Sequence, residues 1–305
     1  MANKHASLDA LFTDIADAIR EKTGDEGVIP AVDFPDMIRE KLQVILPPAY
    51  LTFSSPSSFT LKVDDTTKHW DGTLEYSTNT STWTTWDGTT TLSSATSGSD
   101  NVLYLRGIGN TVITGSRPSY KWVLTGTDIS CIGNIENLLD YATAQSGAHP
   151  TMADECYSYM FNGCTSLTQA PALPATTLAD YCYSYMFGGC TSLTQAPALP
   201  ATTLSDRCYY QMFHGCTRLT QAPALPATTL NSYCYNNMFS GCASLKLSSS
   251  KTGEYTQEYR IPTAGTGTTA PSALFNMFKS TGGTFTGTPS INTTYYLSNT
   301  NTVVG

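Results

Sequence analysis

The sequence predicts an α+β multidomain fold: a solenoid in which each 26-residue coil holds one strand and one helix, preceded by a β-sandwich and a short helical N-terminus. Three observations predict it. Charge and helix-spaced apolar residues are concentrated before residue 45. Seven short apolar or alternating segments follow over residues 50–126. From Ala153 onward the chain repeats itself with fixed cysteines, leucines and glycines.

In the first region Leu8, Leu11, Phe12, Ile15 and Ile19 recur at helical spacing, with Ser7 placed to cap the start and Gly24 to end it. A second short helix is expected from Asp33, with Pro35 in its first turn and Ile38 and Leu42 on its apolar side. Two short helices bury little surface alone. Residues 1–45 are therefore read either as a docking segment for a partner chain or as a hairpin folded on the next domain.

After the stiff "LPPAY" at 46–50, the segments "LTF", "SFTLKV", "GTLEYST", "TWTTW", "TTTLS", "NVLYLRG" and "KWVLTG" alternate or run apolar between turn residues. This pattern suits an immunoglobulin-like sandwich over 50–126. Trp70, Trp83, Trp86 and Trp122 are either its core and edge or an aromatic platform for sugars.

The solenoid is assigned to 127–305. Cys156, Cys182, Cys208 and Cys234 form one column, Cys164, Cys190, Cys216 and Cys242 another, and Leu167, Leu193, Leu219 and Leu245 a third. Period and leucine column together place it in the leucine-rich class, where stacking supplies a core that no single unit could bury. "CTSLTQAPALP" is the expected strand half, and "TTLADYCYSYMFGG" the expected helical half, closed by Gly163, Gly189, Gly215 or Gly241. Asp154, Asp180 and Asp206 are then at helix starts, where a carboxylate is favourable.

On a helical wheel the constant columns (Leu178, Cys182, Tyr183, Met186, Phe187, Cys190) occupy one arc and the variable ones the other. The fixed arc reads as buried scaffold and the variable arc as surface. Its side chains are rich in Tyr, Asn and Ser, a palette suited to recognition, although free drift at solvent positions is the plainer reading. The candidate binding residues are Tyr181, Tyr185, Arg207, Tyr210, Gln211, His214, Tyr233, Asn236 and Asn237. The rival face is the strand surface, where Gln169, Gln195 and Gln221 would stack as a ladder of amides.

Nine cysteines invite a disulfide or metal reading. Adjacent helices would lie roughly 8–10 Å apart, too far for a bridge between coils. No tight Cys spacing suggests zinc. A degenerate fifth copy, "SALFNMF", puts Ala273 and Thr281 in the cysteine columns, as a packing role predicts, so free buried thiols are expected. Cys131 lies in "DISCIGNIENLLDY", read as a capping coil.

Composition bounds the function. Charged residues are 13% and the net charge is −8, which argues against nucleic acid and against anionic lipid as partners. No stretch is apolar over the roughly 20 residues that span a bilayer. The N-terminus lacks the basic start and apolar run of a signal peptide, so the chain is expected to be made and kept in the cytoplasm. His5, His69, His149 and His214 fall in no pattern with a nucleophile and an acid. No enzyme activity, cofactor or metal is expected.

The unit "CYSYMFGGCTSLTQAPALPATTL" resembles the BspA-like leucine-rich repeats of bacterial surface proteins and of proteins encoded by phages of gut bacteria. "IADAIREKTGDEGVIPAVDFPDMI" is similar to a short segment of phage tail-associated proteins, and "LEYSTNTSTWTTW" to Ig-like modules in such proteins. The resemblance implies a virion protein, assembled in the host cytoplasm, that recognises a bacterial surface protein or glycan. Other tail proteins would be partners of the N-terminal helices, with homo-oligomers also possible. It leaves open a structural tail protein without receptor binding and a cell-surface adhesin, and it carries no catalytic residue across.

Overall fold

The computed structural model describes residues 50–305, and the expected helices of the first 45 residues lie outside that range. Tyr50–Gly305 forms one compact unit. Its first strands are β1 (Leu51–Ser55), β2 (Thr60–Val63), β3 (Thr73–Ser77), β4 (Thr84–Trp86), β5 (Leu92–Ser93), β6 (Ala95–Ser97), β7 (Asp100–Ile108) and β8 (Trp122–Thr125). With β9 (Ile129–Ile132) and β10 (Leu167–Gln169) they make two sheets. The larger has the order β10-β9-β1-β7-β3-β4 with β6 also on β7, and the smaller is β5-β2-β8. Alternation in "TLKV" and "NVLYLRG" turns Leu61, Val63, Leu103 and Leu105 inward, all fully buried. Trp86 and Trp122 meet edge to face across the sheets at 5.5 Å, and Trp70 packs on Trp86 at 5.1 Å. These three rings are buried, whereas Trp83 is half-buried under the Arg106 guanidinium at 4.1 Å.

The larger sheet runs into the repeats, because β9 pairs antiparallel with β1 on one side and parallel with β10 on the other. A 3₁₀ turn at Ile135–Leu138 and the helix α1 (Tyr141–Gln145) follow β9. Gly107 of β7 lies under that turn, and a β-carbon there would overlap the Leu138 carbonyl, a backbone group that cannot swing aside. Gly107→Ala is expected to lower stability by about 2–3 kcal/mol, seen as a lower denaturant midpoint at unchanged slope.

The strand-plus-helix coil is overturned. Among the described residues the only α-helix is α1, and the segment expected to be helical in each repeat is a run of turns. Backbone dihedrals show why. Every fourth residue has positive φ: Glu155, Tyr159 and Gly163 in the first coil, Tyr181, Tyr185 and Gly189 in the second, and so on through Ser272, Asn276 and Ser280. An α-helix cannot continue through such a residue. Even-numbered amides of the first coil close turns on the carbonyl three residues back, as in Ser158 to Glu155 at 3.0 Å and Met160 to Tyr157 at 3.2 Å. Where the third residue of a turn has positive φ, as at Tyr159 and Gly163, it carries the type II signature.

Odd-numbered amides instead point along the stack. Glu155, Tyr157, Tyr159, Phe161 and Gly163 donate to carbonyls of Asp180, Cys182, Ser184, Met186 and Gly188 in the next coil, at 2.7–2.9 Å. A helix spends its amides on itself, whereas this spiral of four residues per turn spends half of them on its neighbour. "CYSYMFGG" has few strong helix formers to resist that choice. The predicted helix-start aspartates serve the same ladder. Asp154, Asp180 and Asp206 each accept the amide one period on, from Asp180, Asp206 and Ser232, at 3.0–3.1 Å.

Inside the stack two ladders of rings run its length. Tyr157, Tyr183, Tyr209 and Tyr235 stack at 5.6–5.8 Å, and Phe161, Phe187, Phe213, Phe239 and Phe278 at 5.6–5.7 Å. Phe53 and Trp122 close the phenylalanine ladder at one end, and Tyr259 and Phe285 at the other. The strand half contributes β11 (Gln221–Pro223) and β12 (Thr229–Leu230). The C-terminal strands β13 (Lys246–Ser248), β14 (Tyr255–Arg260), β15 (Thr268–Thr269), β16 (Gly282–Gly283), β17 (Thr294–Ser298) and β18 (Thr302–Val304) cover the far end. Of these, β18 pairs with β11 and β15 with β12.

Candidate functional site

A four-residue turn gives the coil four sides. Cysteines and methionine line one (Cys182, Met186, Cys190) and aromatic rings a second (Tyr183, Phe187), all buried. The third holds Ser158 and Ser184, both buried at 2% exposure. The fourth is the positive-φ side, and it is the side that faces out.

Six of the nine predicted binding residues sit on that fourth side: Tyr181, Tyr185, Arg207, Gln211, Tyr233 and Asn237. All are half-buried, and they form two rows along the stack. In the first row the Arg207 guanidinium lies between two rings, 5.2 Å from Tyr181 and 4.5 Å from Tyr233. No carboxylate pairs with it among the described residues. In the second row Tyr159 and Tyr185 stack at 4.5 Å with planes 10° apart. Tyr210, from the third side, meets Tyr185 edge to face at 5.4 Å. Burial, followed by the neighbouring Tyr210 and Tyr159, raises the Tyr185 phenol above its usual range.

His214 is exposed beside these rows. Asn236 is corrected: it is 3% exposed, and its amide donates to the Ser272 carbonyl at 3.2 Å, so it faces the stack. Ser158 and Ser184 of the same column are buried as well. Tyr159, which is not among the predicted residues, belongs to the site one period before Tyr185.

On the strand face Gln169 and Gln195 are exposed and Gln221 half-buried. A parallel bridge joins Gln195 to Gln221, and a shallow groove of about 380 Å³ lined by Thr168, Gln169, Thr194 and Gln195 separates the first two coils. No side-chain hydrogen bond links the three amides.

The nine cysteines are free and buried. Their chemistry is that of packing with a weak donor: Cys190, Cys216 and Cys242 donate to the carbonyls of Phe161, Phe187 and Phe213 at 3.0–3.1 Å. In the fifth coil the Thr281 hydroxyl donates to the Phe278 carbonyl at 2.8 Å, while Ala273 fills the other cysteine column. Of the histidines, His69 bonds Asp65 at 2.8 Å and stacks on Tyr120, and His149 bonds Glu136. Neither meets a buried nucleophile. No group of three or more metal-ligating side chains gathers among the described residues. Comparison with protein-family models, with curated proteins and with solved structures finds no match.

Proposed function

We propose that this chain is a non-enzymatic, virion-associated recognition protein of the tail, holding a bacterial surface protein or glycan on the outward rows of its repeats. The observation that carries this reading is the residue choice at positive φ. Glycine or asparagine takes that conformation with little strain, whereas a tyrosine or arginine held there costs about 1 kcal/mol or more. The third such position of the first four coils is Gly163, Gly189, Gly215 or Gly241, with Ser280 in the fifth, so the backbone itself asks only for a small residue. The first two carry Tyr159, Tyr181, Tyr185, Arg207 and Tyr233 at five of their eight places in those coils, with Glu155, Gln211 and Asn237 at the others, all half-exposed. Strain of this kind marks side chains used for contact. Aromatic and arginine anchors of low residual freedom are what recognition surfaces favour. The resemblance to tail-associated repeat proteins supplies the setting, and the N-terminal 45 residues would provide attachment to other tail proteins.

The test is binding of the labelled full chain to a panel of gut bacterial strains. Replacing Tyr181, Arg207, Tyr210 and Tyr233 together with alanine is expected to weaken binding to a responsive strain at least about tenfold, with little change in melting temperature. Undiminished binding would move the site to the strand groove. Binding to no strain, together with firm binding to a tail partner, would replace recognition by a purely structural role.

A further inference from the structure

Away from the outward rows, a second cavity of about 300 Å³ opens between the capping segment and the first repeat, lined by Glu136, His149, Met152, Ala175, Thr177 and Leu178 among others. Glu136 is fixed there by the 3₁₀ turn, whose cap Asn134 accepts the Glu136 amide at 2.8 Å. Its side chain is 2% exposed. Buried carboxylates ordinarily collect several donors, because four acceptor sites taken out of water must be compensated. Among the described residues this one has a single donor, the His149 Nδ1, at 3.0 Å from both oxygens. His149 itself is 46% exposed at the rim and follows an exposed loop, so the one partner is also the one that can leave.

The walls narrow the chemistry. A lone carboxylate repels anions, and one carboxylate with the hydroxyls of Thr176 and Thr177 falls short of the roughly six to eight oxygens that a calcium ion takes. An alkyl-bearing cation satisfies both halves: its N–H groups meet the carboxylate and its carbons meet Met152, Ala175 and Leu178. We infer that this cavity binds a small organic ammonium group, with Glu136 as counter-ion and His149 as a displaceable plug. The inference does not depend on the outward rows being the adhesion site.

The full chain at pH 7 would be titrated with propylammonium, glucosamine and Nα-acetyl-lysine amide, followed by calorimetry and by the His149 imidazole proton resonances. Propanol and N-acetylglucosamine are the neutral counterparts. Saturable binding of at least one ammonium that shifts the His149 resonance, with no response to the neutral partner, is expected. Whether the amino sugar or the lysine amide binds tighter tells a glycan source from a peptide source. Glu136→Gln is expected to weaken binding at least about tenfold. His149→Ala, at an exposed rim, is expected to tighten it several-fold by removing the competitor. Binding of the neutral compounds as well as the charged ones, or no saturation by any ammonium in either the native chain or His149→Ala, would overturn the inference. The last pair of measurements decides it even where Glu136→Gln does not fold.

Discussion

Raising the pH from 8 to 10 in the presence of reductant is expected to unfold the protein cooperatively. All nine thiols are buried, and burial raises every one of them: Cys164 to about 11, Cys208 and Cys216 to about 12, and the remainder well above the ordinary thiol range. In the unfolded chain a thiol titrates near pH 8.5. Above that value the unfolded state holds fewer protons than the folded one, so stability falls as pH rises until the folded thiols themselves ionise. At pH 10 each thiol contributes a loss of roughly 2 kcal/mol, and nine of them about 18 kcal/mol, against the ~5–15 kcal/mol that ordinarily holds a domain together. The buried phenols of Tyr157, Tyr183, Tyr209 and Tyr235, raised chiefly by burial, act in the same direction at the top of this range. Denaturant melts at intervals between pH 8 and 9.5 would give the slope. A limiting slope of about 1.4 kcal/mol per pH unit for each of many thiols is expected, with no thiol of the native protein reacting with a disulfide reagent at pH 8. A slope equivalent to one or two thiols would mean that the coils do not unfold as one unit.

That result would rest on columns already visible in the sequence. The cysteine, leucine and glycine periods place each coil correctly, and the 39-residue step to the fifth copy puts Met277 where Met238 stands, since Phe239 donates to the Met277 carbonyl as Phe213 does to that of Met238. What the periods could not distinguish is a helix from a spiral of turns. Between 3.6 and four residues per turn the apolar columns of so short a segment fall on nearly the same arc. The decisive quantity is the sign of φ at Tyr159, Tyr185 and Gln211, and tyrosine and glutamine carry no preference that would announce it. The glycines closing the first four coils hinted at positive φ but fit a helix C-terminus equally well, and the other hint is an asparagine at Asn237 and Asn276 alone.

The outward site was legible to the same extent. Columns fixed its members, so Tyr181, Arg207 and Tyr233 align as read, while Asn236 faces inward on the Ser272 carbonyl. Glu136 and His149 were beyond reach. They stand 13 positions apart with the helix α1 between them, and neither lies on any repeating column.

Phe213→Ala is expected to lower stability by about 4 kcal/mol. Phe213 is fully buried at the middle of the five-ring ladder, 5.7 Å from Phe187 and 5.6 Å from Phe239, with planes within 6° of parallel on both sides. Truncation removes the transfer energy of one ring and leaves a void that neither neighbour can fill. Both rings are held in register by the backbone ladder, through the Phe187 amide on the Met212 carbonyl and the Phe239 amide on that of Met277. In a stack whose stability is a sum over neighbouring interfaces, a central loss acts on two interfaces at once. Phe213→Leu keeps most of the volume and is expected to cost about half as much. Tyr233→Ala, one coil on but on the outward row, removes a half-exposed ring from a strained backbone position and is expected to stay within about 1 kcal/mol of the native protein. Chemical denaturation of the three variants tests whether stability resides in the inward ladders. Equal losses at Phe213 and Tyr233 would make the outward rings structural, and the positive-φ tyrosines would then no longer argue for recognition.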